Sequence, residues 1–308
     1  MGDPSWQSAA DVLKMGMGIF KITLCAIVFV SSLAQASTWN GRIEEGFSGT
    51  PVSIGEVAER LADSDFVVLG EQHDVAAIQN AQAAMIAEIA GRRGDRGFTT
   101  AWEFLDAKDQ PRIQEAYEAF NSGGIDAREF LIRTQGSARY SNYAPILEVT
   151  RLLGGGFLGV NLSRKEKEPV VQGGLGAALP GTVPAGFGME FGGYFDRFKL
   201  AMEGHATPEQ ISNYYAAQCL TDDVMAHHLI AGRVASELRF LVVGAFHSDF
   251  GDGVMKRLRL RSGGARVRSI RFVDSSLYTQ AELQTLRQDP LYGVVSDFVY
   301  YLNEPKTF

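Results

Sequence analysis

The chain alternates short apolar runs with longer stretches of helical period. Phe66-Val67-Val68-Leu69 is apolar and β-branched and stops at Gly70, which predicts a buried strand. Beyond it Ile78, Gln82, Met85, Ile86 and Ile89 recur at helical spacing, with Asp74 in the N-cap position and Arg92-Arg93-Gly94 as stop signals. Thr99 to Phe104 predicts a second strand with Glu103 near its end, and from Asp106 a helix follows with Pro111 near its start. Asn142 to Leu153 predicts another helix, closed by three glycines, and Phe157 to Leu162 a third strand carrying Asn161. Residues 173–193 are glycine-rich, contain Pro180 and Pro184, and read as a long covering loop. Thr207-Pro208-Glu209-Gln210 has the form of a helix start: threonine at the N-cap, proline at the first turn, glutamine at the capping-box position. That helix runs through Tyr214, Tyr215 and Gln218, with a restart expected at Thr221-Asp222. Arg239 to Val243, Val267 to Val273 and a segment within 290–302 supply further strands, and Gly253 to Leu260 a helix.

Strands alternating with helices predict an α/β fold with a mostly parallel or mixed central sheet covered on both faces. Ligands of such sheets bind outside the carboxyl ends of the strands. Five polar residues fall at or just past such ends: Glu71, His73, Glu103, Asn161 and His247. Two of them close a repeated Gly-x-x-His pattern, Gly70-Glu71-Gln72-His73 and Gly244-Ala245-Phe246-His247. This predicts one shared crevice, with Phe246 as an apolar wall.

Composition adds bounds. A length of 308 residues and 45% hydrophobic content suffice for a sizeable core, and a net charge of −7 argues against a general nucleic-acid binder. The N-terminus carries Lys21, the apolar run Ile22 to Val30, and the small-residue pattern Ala34-Gln35-Ala36. This predicts a signal peptide over residues 1–36, a mature start at Ser37, and a single domain over 37–308. The run is short for a membrane span of ~20 residues. In this scheme the true start is Met15 or Met17. Leu24 before Cys25 does not suit a lipidation motif, so no lipid anchor is expected, and cleavage leaves Cys219 without a partner.

The crevice residues allow two chemistries. His73 and His247 with Glu71 could hold zinc or another divalent ion. Alternatively, His73, Glu103 and His247 could act without metal, a histidine serving as general base and a carboxylate orienting it. Other features carry less: His227-His228 sit side by side on a helix and point apart. Arg164 to Glu168 reads as a solvated loop, though Arg164 could meet an anionic ligand group. Arg257, Arg259 and Arg261 are expected to face solvent.

Several segments in order resemble the ChaN-like haem-binding family of the erythromycin-esterase/TraB/Tiki superfamily. They are Leu69 to Asp74, Trp102-Glu103, Gly159 to Arg164, His205, Tyr215 to Ala226, and Val243 to His247 followed by Gly251 and Gly253. The resemblance spans about residues 60 to 275. It implies a periplasmic or outer-membrane-associated homodimer that binds haem, serves haem or iron uptake, and meets an outer-membrane haem receptor. It also implies tyrosine on the haem iron, which suits the oxidised state, with Tyr140, Tyr143 and Tyr215 as candidates. Glu71, His73, Asn161, Arg164 and His247 are then the other cofactor-binding candidates, and the apolar slot would be lined by the glycine-rich segment and Tyr214-Tyr215. The chain departs from the family in having no second histidine between Val75 and Gln82. The wider superfamily implies the competing reading, hydrolysis of an ester or, with metal, of a peptide through His73, Glu103 and His247. A third reading is a binding protein for another small ligand.

Overall fold

The computed structural model describes residues 41–305. The expected leader, cleavage site and alternative starts lie outside the described residues. Among the described residues ten strands occur in chain order: β1 (Arg42–Glu45), β2 (Pro51–Val52), β3 (Phe66–Glu71), β4 (Phe98–Asp106), β5 (Gly156–Asn161), β6 (Leu238–Gly244), β7 (Val267–Asp274), β8 (Gln288–Asp289), β9 (Gly293–Val294) and β10 (Phe298–Leu302). Eight of them form one sheet in the order β2-β1-β10-β7-β3-β6-β4-β5, while β8 and β9 pair as a small hairpin. From β10 to β5 all neighbours run parallel, and β1 and β2 add an antiparallel edge.

β3 and β6, the middle pair of the six parallel strands, are buried along their whole length, as expected of a sheet covered on both faces. On one face Phe66, Val68, Leu241 and Val243 pack against Met225 and Leu229 of the helix Pro208–Ile230 and against Val254, Met255 and Leu258 of the helix Gly253–Arg261. The alternate residues Val67 and Leu69 point to the other face, where the helix Ala76–Gly91 buries Ile78, Met85, Ile86 and Ile89. Each such side chain contributes about 1.5–3 kcal/mol of burial.

The connections place the site. The chain leaves β3, crosses one face, and returns as β4, two strands away with β6 between. After β6 it crosses the other face and returns as β7, on the far side of β3. Right-handed crossovers in opposite directions require helices on opposite faces, so the carboxyl ends of β3 and β6 part into a crevice, the switch point at which such sheets bind ligands. Glu71 ends β3 directly opposite Gly244, the end of β6.

Four local expectations are corrected. Asp74 is not a helix cap: its φ is 58°, a left-handed conformation that aspartate tolerates, and Val75 precedes the helix without a side-chain cap. The helix begun by the Thr207 capping box runs unbroken from Pro208 to Ile230, with no restart at Thr221. Arg164 to Glu168 is helix, not loop, because Ser163 and Glu166 form a capping box. Arg257 is buried against Phe187, whereas Arg259 faces solvent and Arg261 pairs with Asp223.

Candidate functional site

Both Gly-x-x-His segments open at the crevice. His73 Nδ1 donates to Glu71 Oε1 at 2.9 Å, and its Nε2 lies 3.8 Å from Glu103 Oε2. His247 Nε2 lies 3.3 Å from Glu103 Oε1, and its Nδ1 lies 2.5 Å from Asp222 Oδ1. Glu103 thus stands between the two histidines, fixed by the Gly244 N–H at 2.6 Å. Asp222 is further held by the Tyr194 hydroxyl at 2.7 Å. The Gln218 amide lies 3.0 Å from His247 Nδ1 and 3.0 Å from the Tyr194 hydroxyl. Glu71 accepts from the Tyr143 hydroxyl and, at 3.1 Å, from Gln79.

Gly244 is required by this packing. A Cβ there would come within 2.8 Å of His73 Nε2 and 3.4 Å of Glu103 Oε2. Gly70 is equally confined, since its Cβ would stand 2.5 Å from Ser248 Oγ.

The charges follow from the geometry. Burial would lower His247, but Asp222 and Glu103 outweigh it and push it up to about 10. Burial would raise Glu103, but the charge and hydrogen bond of His247, the Gly244 N–H and His73 hold it down at about 2. His73 is opposed by its own burial and raised on balance by Glu71 and Glu103. Burial raises the Asp222 carboxyl against the pull of His247. Carboxylates and imidazoles thus alternate along one row, Asp222–His247–Glu103–His73–Glu71, in which only the His73 ring is substantially exposed, at 41%.

That ring faces an open cleft of about 420 Å³. Phe198, Ala201, Met202, Ala245 and Phe246 form its apolar walls, and Glu71, His73, Gln218, His247 and Arg271 its polar ones. Phe246 takes the place expected of it. The opposite wall comes from the helix Gly193–Met202, not from the glycine-rich segment or Tyr214-Tyr215. Behind His73 lies an aromatic cluster in which Phe104 meets the imidazole edge-on at 4.8 Å and stacks on Tyr140 at 4.5 Å.

Asn161 and Arg164 line a neighbouring cleft of about 330 Å³ on the other side of Glu103, with Lys167 and Phe104. Asn161 donates to the Glu103 carbonyl at 2.7 Å and so braces the strand end. Tyr143 and Tyr215 are 1% exposed and their hydroxyls are engaged, by Glu71 and by the Glu190 carbonyl at 2.7 Å. Burial raises both phenols, so neither presents a ready phenolate to a metal. Tyr140 is half-buried, and its hydroxyl makes no hydrogen bond among the described residues. His205 is exposed and apart from the cleft lining, as is the pair His227 and His228.

The divalent-metal set His73, His247 and Glu71 does not fit. Both His247 nitrogens face carboxylates, and a protonated imidazole has no lone pair to give. The Glu71 oxygens already serve Tyr143, His73 and Gln79. Among the described residues no group of three or more His, Cys, Asp or Glu side chains is arranged to hold a metal ion.

Comparison with known families decides the kinship. Residues 57–258, well over half the chain, match the family described as haem-binding uptake, Tiki superfamily, ChaN. The chain belongs to the ChaN haem-binding family. Among solved structures it is similar to the ChaN of Campylobacter jejuni, whose structure shows cofacial haem binding, at 17% identity and a TM-score of 0.66 over 86% of this chain and 97% of that one. That likeness establishes the ChaN fold. The type III effector HopBA1 follows at 14% identity and TM-score 0.46, over 87% and 98% of the two chains. A mutant of the erythromycin esterase EreC in its open conformation gives 14% and 0.43, over 77% and 78%. No curated protein sequence matches.

Sequence reasoning missed Asp222, Gln218, Tyr194 and Arg271. A signal for the first existed: Tyr215, Cys219, Asp222, Ala226 and Leu229 form one apolar stripe at helical spacing, and Asp222 is the carboxylate in it. A buried carboxylate needs a cationic or hydrogen-bonding partner.

Proposed function

We propose that this ChaN-family chain binds haem in the cleft between β3 and β6 and, once exported, serves haem or iron uptake. The observation that carries the reading is the pairing of an apolar wall with a half-exposed imidazole whose affinity for a proton is raised by Glu71 and Glu103. Phe198, Met202 and Phe246 suit one face of a flat macrocycle, and His73 beside them suits an anionic edge group. Haem bound there would supply the redox-active iron. The chain's own residues would exclude water from one face and fix the ligand's orientation. None of the three tyrosine candidates for the iron lines this cleft; Tyr140, whose hydroxyl is uncommitted among the described residues, stands in the aromatic cluster behind His73. Periplasmic or outer-membrane-associated location, a homodimer and delivery from an outer-membrane receptor complete the proposal. The leader-like pattern at residues 21–36 supports export, and the haem-binding uptake description of the family supports the uptake role.

The test is a titration of the chain from Ser37 onward with haemin. A shifted Soret band that saturates near stoichiometry supports the reading; an unchanged haemin spectrum overturns it.

One observation favours a second reading, ester hydrolysis. Glu71 orients His73 through Nδ1 and leaves Nε2 without a hydrogen bond among the described residues, 3.8 Å from Glu103, the arrangement of a general base with its positioning carboxylate. Because Glu71 and Glu103 raise His73, such activity would climb with pH as that ring deprotonates. Hydrolysis of p-nitrophenyl acetate that survives His73→Ala would dismiss it.

A further inference from the structure

Among the described residues the buried Arg271 makes no side-chain hydrogen bond. It sits on β7 beside Gly70 of β3, in register and on the same face of the sheet, and lines the cleft with His73, His247 and Phe246. Its side chain is 10% exposed. Nε and Nη1 are buried and meet no acceptor among the described residues. The nearest carboxylate oxygen, Asp249 Oδ1, stands 3.7 Å from Nε, beyond hydrogen-bond reach. Arg239 on β6 shows what a buried sheet arginine ordinarily does: it donates to the carbonyls of Leu229 and Ala231 and to Glu237.

The other two cleft side chains that can carry positive charge each meet a carboxylate closely, His73 with Glu71 at 2.9 Å and His247 with Asp222 at 2.5 Å, whereas Arg271 has only Asp249 at 3.7 Å. Arg197, the other cation near Asp249, is paired with Asp252 at 2.6 Å. Arg271 is therefore the cleft cation with donors left over. A guanidinium offers a planar fork that matches a carboxylate in two parallel hydrogen bonds.

We propose that Arg271 anchors an acidic group of the ligand, so that the cleft selects an apolar molecule bearing a carboxylate. This rests on the cleft being the ligand site, and it extends that reading by naming the group recognised and the residue that recognises it. For haem the group would be a propionate; for a hydrolase substrate it would be a carboxylate next to the apolar part. Asp249 is the counter-charge while the cleft is empty. Burial raises its carboxyl to about 6 against the pull of Arg271 and Arg197, so it weakens as a competitor on mild acidification.

The test compares haemin with haemin dimethyl ester, which keeps the macrocycle and lacks the acids, on the wild type, Arg271→Met and Arg271→Lys. The wild type is expected to bind haemin on the order of tenfold to a hundredfold more tightly than the ester, as a charge-assisted hydrogen-bond pair would give. Arg271→Met should lose that preference while keeping its affinity for the ester, and Arg271→Lys should keep part of it. Equal affinity of the wild type for both compounds overturns the proposal, even if Arg271→Met fails to fold. So does an equal loss of both compounds in a folded Arg271→Met. If the wild type binds neither, the haem reading falls, and the anchor is decided by thermal shift with 1-naphthoate against 1-naphthamide. Stabilisation by the acid alone, abolished in Arg271→Met or weakened in Arg271→Lys, upholds it; acid and amide acting alike, or neither acting, overturns it.

Discussion

Replacing Asp222 by asparagine removes one charge and almost no volume from the buried row of carboxylates and imidazoles. In the native protein His247 is wedged between Asp222, 2.5 Å from Nδ1, and Glu103, 3.3 Å from Nε2. Its pKa of about 10 in the folded state lies above the ~6.5 of an unfolded chain. A raised folded pKa adds stability that is fully present below pH ~6.5 and is lost as pH climbs through the folded value. At ~1.4 kcal/mol per pKa unit, the rise to about 10 is worth roughly 5 kcal/mol gross. The burial that raises Asp222 opposes part of it. Asp222→Asn leaves His247 with Glu103 alone. Loss of one member of a buried pair costs about 3–5 kcal/mol, and that cost belongs to the protonated imidazole. Urea unfolding from pH 6 to 10.5 should therefore show a gap between wild type and variant of that size at pH 7 that narrows as pH rises toward about 10, where the native His247 loses its proton, and is nearly closed at 10.5. A gap that stays constant across the range refutes the electrostatic account and leaves Asp222 a packing residue.

Gly244→Ala should displace His73, because the new Cβ meets Nε2 at 2.8 Å. The φ of −55° at Gly244 admits alanine, so a stability loss of about 1–3 kcal/mol is expected from overpacking, alongside a marked loss of haemin affinity read from the Soret band. Glu71→Gln removes the charge that raises His73; the ring should titrate at lower pH than in the wild type, and a histidine NMR titration showing no change would exclude the dyad. Glu103, held at about 2, contributes stability that is present above the ordinary carboxylate pKa of about 4.3 and lost as pH falls through the folded value. Glu103→Gln should accordingly flatten the acid limb of the unfolding curve. Expression of the full chain in a bacterial host should yield a secreted form whose mass places its N-terminus at Ser37, and retention of residues 1–36 would contradict the leader.

Much of the scaffold was legible in order of residues. The central strands are short apolar runs flanked by glycine or polar residues, and the helix that carries Asp222 announces itself through Thr207, Pro208 and Gln210. The strand-end rule brought His73, Glu103 and His247 together correctly, because in a parallel sheet every strand finishes at the same edge. Asn161 went with them but braces the Glu103 backbone from a second cleft. What failed to show in the sequence depends on distance through space. Tyr143 closes on Glu71 from a helix start seventy-two positions away. Arg271 reads as one more alternating strand residue until Gly70 beside it is seen to open the cleft. Arg257 was taken for a solvent-facing residue because alternation of charges on a helix ignores which face is packed. Phe246 forms an apolar wall as its motif predicts, but the rest of the slot, expected from the glycine-rich segment and Tyr214-Tyr215, comes from the helix Gly193–Met202, because Tyr215 turns into the protein.

The central claim is that the crevice between the two Gly-x-x-His segments is the haem site. It is tested most directly by locating iron in crystals grown with haemin, using anomalous scattering at the iron edge. The account predicts an iron peak in the cleft bounded by His73, Phe198, Phe246 and Arg271. A peak elsewhere on the chain, with this cleft empty, would contradict it.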